Sequence, residues 1–380
     1  MSHVRPTKMA VTAGGDCPLN RVRAASESSL WRSRRVWVGL AVSLILIALF
    51  LHGTNFREIG NSFADANYLL AFLSLPVYFL AAWFRTLRWK YLLRPMKAIS
   101  TARLYPVVII GFMANNLIPA RVGELVRAYI LREREGVSMS ASLGTIVVDR
   151  VFDGLTLLLF LILAGLFATV SAQVRTLAIV MAALFGVGVV IMYVLVTSES
   201  RSRWAVDIVV SLVPERLKGR AQGLADSFLE GLQSLRSPTA MAGAWAASVV
   251  SWLLEATMYY MVGEAFGLRL GFEVYLLVAA AANLAITLPT PGGVGPFELG
   301  ARWALAPFAV ATDTVRAYAI VLHALLLLPV IALGLFFLWS INLSLGDMLR
   351  RPAAAPEPAS TGPVEPATGE RLGAEGRGRE

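Results

Sequence analysis

From Asn115 to Arg127 the sequence reads NNLIPARVGELVR, which sets two amides, a proline, a glycine, a glutamate and two arginines at the end of an apolar run. Lipid tails satisfy none of these groups. Arg121, Glu124 and Arg127 recur at i, i+3 and i+6, close enough to share one broad helix face. Two guanidiniums with a carboxylate between them can grip an anionic head group, the glutamate orienting one arginine, while Asn115 and Asn116 donate hydrogen bonds. The competing use is a local ion pair that anchors a helix at the membrane edge.

A second stretch, NLAITLPTPGGVGPFELGAR from Asn283 to Arg302, repeats the grammar of amide, proline, Gly-Val-Gly and glutamate. Gly292, Gly293 and Gly295 leave a loop bare of side chains, so that backbone N–H groups can approach an anion at the start of the next helix. Gly295 as N-cap, Pro296 at N1 and Glu298 at N3 also make an ordinary helix start. Glu298 is therefore a binding candidate and a capping candidate at once.

Other ionisable groups fall inside apolar runs. VVDRVFDG carries Asp149 and Asp153 at i, i+4 with Arg150 between them, an internal salt bridge whose carboxylates could instead take a proton or receive an arginine of the first interrupted segment. Arg85 and Arg88 in RTLRWKYLL have the look of interfacial anchors that could also receive lipid phosphate. Glu255 in SWLLEATMYY is a lone acid with no partner visible in sequence, and His323 reads as a satisfied packing histidine rather than a proton relay.

These residues need long apolar elements to place them. The chain is 57% hydrophobic and 16% charged with a mean hydropathy of +0.64, the composition of an integral membrane protein. Val36–Leu51, Tyr68–Phe84, Thr145–Val170, Leu177–Val196, Ala240–Val262 and Ala317–Trp339 predict six full crossings. Leu104–Ile118 and Val274–Leu288 are shorter and end in the two Pro/Gly stretches. The expected fold is all-α and polytopic, with six transmembrane helices and two broken segments that either re-enter as helical hairpins or cross as paired short helices. Basic residues from Arg85 to Arg103, from Arg127 to Arg134 and from Arg201 to Arg236 fall inside by the positive-inside rule. The two broken segments then approach from opposite faces, an inverted-repeat pattern, and both termini are cytoplasmic. Residues 1–35 read as a disordered basic arm, 36–345 as the membrane domain with a cytoplasmic amphipathic insert at about 199–238, and 346–380 as a disordered tail.

Several chemistries are disfavoured. The single cysteine, Cys17, and three scattered histidines build no disulfide framework, metal ligand set or nucleophilic triad. The net charge of +9 sits largely beside apolar runs and comes with no nucleic-acid motif. No catalytic motif, cofactor fingerprint or Walker A loop is present, so an enzyme is the less favoured reading and any movement of a substrate would be passive or ion-coupled.

RTLRWKYLL, NNLIPARVGELVRAYIL, VVDRVFDG and PTPGGVGPFELG, in this order, resemble the lysylphosphatidylglycerol synthase transmembrane-region family of flippase-like membrane proteins. The resemblance covers roughly Val36 to Leu345. It implies a polytopic inner-membrane protein that moves a lipid between leaflets. The namesake carries a soluble aminoacyl-transferase domain after this region, whereas here a short tail follows Arg350, so the aminoacylating chemistry is not implied. The expectation is a flippase for a lipid with an anionic head group, held by Arg121, Arg127 and Arg150. The alternatives are a membrane-embedded enzyme of a lipid or glycolipid pathway such as the hopanoid one, with Asp149, Asp153 or Glu298 as base, and an accessory subunit or scaffold that partners a lipid-synthesis enzyme or a second copy of itself.

Overall fold

The computed structural model describes residues 56–118, 122–197, 199–287 and 290–341, together with positions 44, 45, 47 and 48. Arg121, the N-terminal arm, the C-terminal tail and all but four positions of the first apolar run lie outside the described residues.

Among the described residues the fold is helical throughout. In chain order the helices are α1 (Phe56–Ala64), α2 (Tyr68–Leu73), α3 (Leu75–Leu93), α4 (Thr101–Leu117), α5 (Val122–Glu135), α6 (Met139–Phe167), α7 (Ala172–Thr197), α8 (Glu199–Ser211), α9 (Glu215–Leu232), α10 (Pro238–Ala265), α11 (Phe272–Ala285), α12 (Pro296–Leu305) and α13 (Thr312–Ser340). Local chemistry sets several starts. The Asn67 side chain accepts from the Leu70 N–H to open α2, and Ser237 does the same for Ala240 ahead of Pro238 in α10.

Length and composition qualify three stretches as membrane spans: Tyr68–Leu93, Ala172–Thr197 and Thr312–Ser340. The expectation of six is thus met in part. The helices α6 and α10 have 29 and 28 residues, ample for a crossing at about 1.5 Å per residue, but acidic and basic side chains interrupt their apolar surface. Those side chains turn inward. In α7 only Val174, Met181 and Met192 are buried, so nearly the whole helix presents apolar surface outward, as a lipid-facing helix does.

Each interruption is a helical hairpin closed by small residues. A Cβ at Gly123 would strike the Gly111 carbonyl and lie 2.7 Å from Asn115 Oδ1, so α5 folds back tightly along α4. A Cβ at Gly300 would lie 2.7 Å from the Ala281 carbonyl oxygen, which brings α12 against the alanine run of α11. The two interruptions then abut, since a Cβ at Gly292 would sit 3.2 Å from the Asn116 carbonyl oxygen. Apolar packing forms two clusters, one around Tyr259, Tyr275, Phe297 and Tyr318 and one around Trp89, Leu104, Ile110 and Leu131, and Phe112 of α4 packs against both.

Candidate functional site

Asp149 and Asp153 stand one helical turn apart on α6 and face Arg88 of α3. The Arg88 guanidinium, 0% exposed, donates through Nε to Asp149 Oδ1 at 2.7 Å and through Nη1 to Asp153 Oδ1 at 2.7 Å, with Ser248 Oγ of α10 at 2.9 Å. Trp252 Nε1 donates to the same Asp153 oxygen at 2.9 Å. Arg127 of α5 reaches Asp149 Oδ2 at 3.3 Å and lies flat over the Trp89 ring, 4.1 Å from its centroid. Arg150 closes the network, meeting Asp149 at 3.3 Å, Asp153 at 3.2 Å and Glu124 at 3.8 Å. Three guanidiniums thus meet three carboxylates, and pairing is what makes so much charge tolerable inside a helical membrane body.

A second cluster adjoins the first through Trp252. Arg85 of α3 pairs with Glu255 of α10 and covers the Trp252 ring at 4.3 Å. Glu255 Oε1 also accepts from Tyr259 at 3.3 Å and from Asn283 Nδ2 at 3.4 Å. A third group ties down the Pro/Gly loop. Glu298 Oε2 accepts from the Gly295 N–H at 2.7 Å, Glu298 Oε1 meets His323 Nδ1 at 2.7 Å, and His323 Nε2 meets the Gly292 carbonyl at 3.0 Å. Gly292, Gly293 and Gly295 have φ of 59°, 74° and 97°, a backbone that side chains with a Cβ rarely adopt.

The three groups border one cavity of about 350 Å³. Of the residues expected to bind, Asn115, Asn116, Glu124, Arg150, Asp153, Gly292, Gly293, Arg85 and Glu255 line it. Arg127, Asp149, Arg88, Gly295 and Glu298 do not, and Arg121 lies outside the described residues.

Three expectations need correction. Arg88 is not an interfacial anchor but the most deeply buried cation of the site, because α6 delivers two carboxylates to it. Glu124 pairs with no arginine of its own helix among the described residues; it faces Arg150 of α6, while Arg127, which does not line the cavity, meets Asp149 and Trp89. Asn115 accepts from the Gly123 N–H at 2.8 Å, capping the resumed helix with the oxygen of an amide expected to donate. His323 is buried and satisfied, as expected, both ring nitrogens having polar partners. Asn283, Ser248 and Trp252 were missed, although Ser248, Trp252 and Glu255 form a polar stripe at i, i+4, i+7 on an apolar helix, a signal present in the sequence.

A family model described as the lysylphosphatidylglycerol synthase TM region matches residues 36–334. The chain is 27% identical to the glycosyltransferase AglD of Haloferax volcanii over 82% of its own length, and spans 56% of that protein. It is 24% identical to a UPF0104 membrane protein of Methanothermobacter thermautotrophicus over 76% of this chain and 89% of the relative. A UPF0104 membrane protein of Pyrococcus horikoshii is also 24% identical, over 68% of this chain and 83% of the relative. No solved structure matches the chain.

Proposed function

The chain belongs to the lysylphosphatidylglycerol synthase transmembrane-region family, and from that premise we propose that it moves a lipid with a phosphate-bearing, anionic head group between the leaflets of the inner membrane. The observation that carries this reading is that both interrupted hairpins border one cavity in which charged and amide side chains stand among apolar ones, inside an otherwise apolar helical body. Such a cavity takes a head group while the acyl chains stay in the bilayer.

The phosphate would be received by Arg150 and Arg85, whose side chains are 32% and 14% exposed, whereas Arg88 and Arg127 are sealed. The Nε groups of Arg85 and Arg150 are buried and have no hydrogen-bond partner among the described residues, so neither guanidinium has its donors fully used. At 3.8 Å the Glu124–Arg150 pair is the longest in the network, so an incoming phosphate replaces Glu124 with little loss of pairing. In this reading six crossings carry two re-entrant hairpins that enter from opposite faces as an inverted repeat, and both termini are cytoplasmic. Rocking of one hairpin against the other would expose the head group to each side in turn.

Reconstitution into liposomes tests the reading. Labelled anionic, zwitterionic and polyprenyl-linked lipids are followed for leaflet exchange. We expect exchange of the anionic lipid well above protein-free liposomes, falling about tenfold or more in Arg150→Ala, the loss of one charge-assisted contact. Rates equal to protein-free liposomes for all three lipids would refute it.

The likeness to the glycosyltransferase AglD favours a second reading, an accessory part of a lipid-linked glycosylation step. That reading predicts that the protein alters sugar transfer to a lipid carrier with no leaflet exchange.

A further inference from the structure

We propose that Glu298 and His323 form a proton-binding site that latches the second interruption, and that this proton is the coupling ion for the lipid movement proposed above. The coupling rests on that functional reading; the proton site rests on geometry alone.

His323 is 4% exposed and lies between two oxygens, Glu298 Oε1 at 2.7 Å from Nδ1 and the Gly292 carbonyl at 3.0 Å from Nε2. A carbonyl oxygen only accepts, so Nε2 must carry a hydrogen. That uses the single N–H of a neutral imidazole. The contact with Glu298 then needs a second proton, held either on Nδ1 or on the carboxyl group. Both placements leave the pair with zero net charge, the arrangement a buried site favours. The other carboxyl oxygen is occupied by the Gly295 N–H at 2.7 Å.

When the shared proton leaves for the cavity, one hydrogen remains for two acceptors and the site becomes a buried anion. One contact must turn repulsive. Phe297 stacks on the imidazole at 4.4 Å and fixes the ring, and Glu298 is held by the helix start it caps. The carbonyl of Gly292 is the partner free to withdraw, because it belongs to a loop of glycines in the left-handed region. That loop abuts Asn116, so its release moves the wall where the two interruptions meet.

Other charges do not take the proton's place. The ionisable side chains that share the cavity are Tyr78, Arg85, Glu124, Arg150, Asp153 and Glu255, contributed by α3, α5, α6 and α10. Each has its own partner: Tyr78 the Leu326 carbonyl, Arg85 and Glu255 each other, Glu124 and Asp153 the guanidinium of Arg150. From α12 Glu298 bonds the imidazole, while Tyr259 of α10 makes its hydrogen bonds with Glu255 and Asn283. On α13 itself, Asp313 and Arg316 pair together near the helix start.

Hydrogen–deuterium exchange of the full-length protein in lipid nanodiscs, from about pH 5 to about pH 9, tests the proton site, with rates corrected for intrinsic exchange. Protection of the Thr290–Phe297 segment is expected to fall about tenfold per pH unit across the transition, a one-proton slope. His323→Gln and Glu298→Gln should abolish that dependence. A segment whose protection ignores pH, or the same response in His323→Gln, overturns the site. Should the variants fail to fold, the ring resonances of His323 and the carboxyl carbon of Glu298 in the native protein, with His3 and His52 substituted, report the titration directly, and a pair in which neither group changes protonation also overturns it.

Coupling is read separately, with labelled phosphatidylglycerol in liposomes of phosphatidylethanolamine and phosphatidylglycerol under an imposed pH difference of about one unit. A leaflet bias of up to about tenfold in the native protein, absent in His323→Gln, is the expected result. Exchange without bias overturns the coupling. Absence of exchange even without a gradient counts against lipid movement itself, and the loop's pH response then decides the proton site on its own.

Discussion

Asp149 and Glu124 are both carboxylates of the charge network, and their surroundings give them opposite parts. Asp149 is 2% exposed and meets Arg88, Arg127 and Arg150. Asp149→Asn leaves buried guanidiniums uncompensated and should cost about 3–5 kcal/mol, read as a lowered thermal unfolding midpoint of the purified protein. Glu124 is partly exposed and pairs loosely, so Glu124→Gln should cost less than about 1 kcal/mol while changing leaflet exchange. A Glu124 variant that unfolds as readily as the Asp149 variant would contradict this division. Residue type and spacing along one helix were legible in the sequence, as Asp149, Arg150 and Asp153 show. Partnership across helices was not. Arg88 followed by Trp89 at the end of an apolar run has the signature of an interfacial anchor, and nothing local says that α6 will bring two aspartates to it. His323 gave no signal because its partner lies 25 positions upstream, on another helix.

At the level of the element, the two interruptions were legible because proline and glycine act locally, on the backbone that carries them. The helix start at Gly295, Pro296 and Glu298 forms as its residue types dictate. Closure of the hairpins depends on contacts that sequence does not display. Gly123→Ala places a methyl group on the Gly111 carbonyl and should separate α4 from α5 at a cost of about 1–3 kcal/mol, measured by thermal unfolding in detergent. Gly60→Ala, where nothing lies within 4 Å of the new methyl, serves as the control and should leave the midpoint unchanged or slightly raised. Gly292→Ala has more room, its nearest neighbour being 3.2 Å away, but its φ of 59° should still cost about 1–2 kcal/mol. Equal midpoints for Gly123→Ala and Gly60→Ala would show that the hairpin is looser than its geometry states. The span count stands in part: α6 and α10 read as crossings but carry inward charges on apolar helices, and most of the first apolar run lies outside the described residues.

For the molecule as a whole, the central proposal is that the cavity where the two interruptions meet is wet and open to one side of the membrane at a time. The apolar surface of α7 and the outward side chains of α13 belong to the lipid face, and the charged groups of α3, α6 and α10 turn from it toward the interior. Cys17 is the single cysteine, so a Cys17→Ser background admits one new thiol at a time. The most direct measurement is alkylation of Asn116→Cys, Asn283→Cys and Val187→Cys by a small charged thiol reagent in sealed vesicles. Asn116 and Asn283 line the cavity, whereas Val187, 59% exposed, sits midway along α7 on the lipid face. Thiols at 116 and 283 should react from one side and be protected by added anionic lipid, with the thiol at 187 inert. Two inert cavity thiols, or a reactive one at 187, would contradict the placement of water and head group between the interrupted helices.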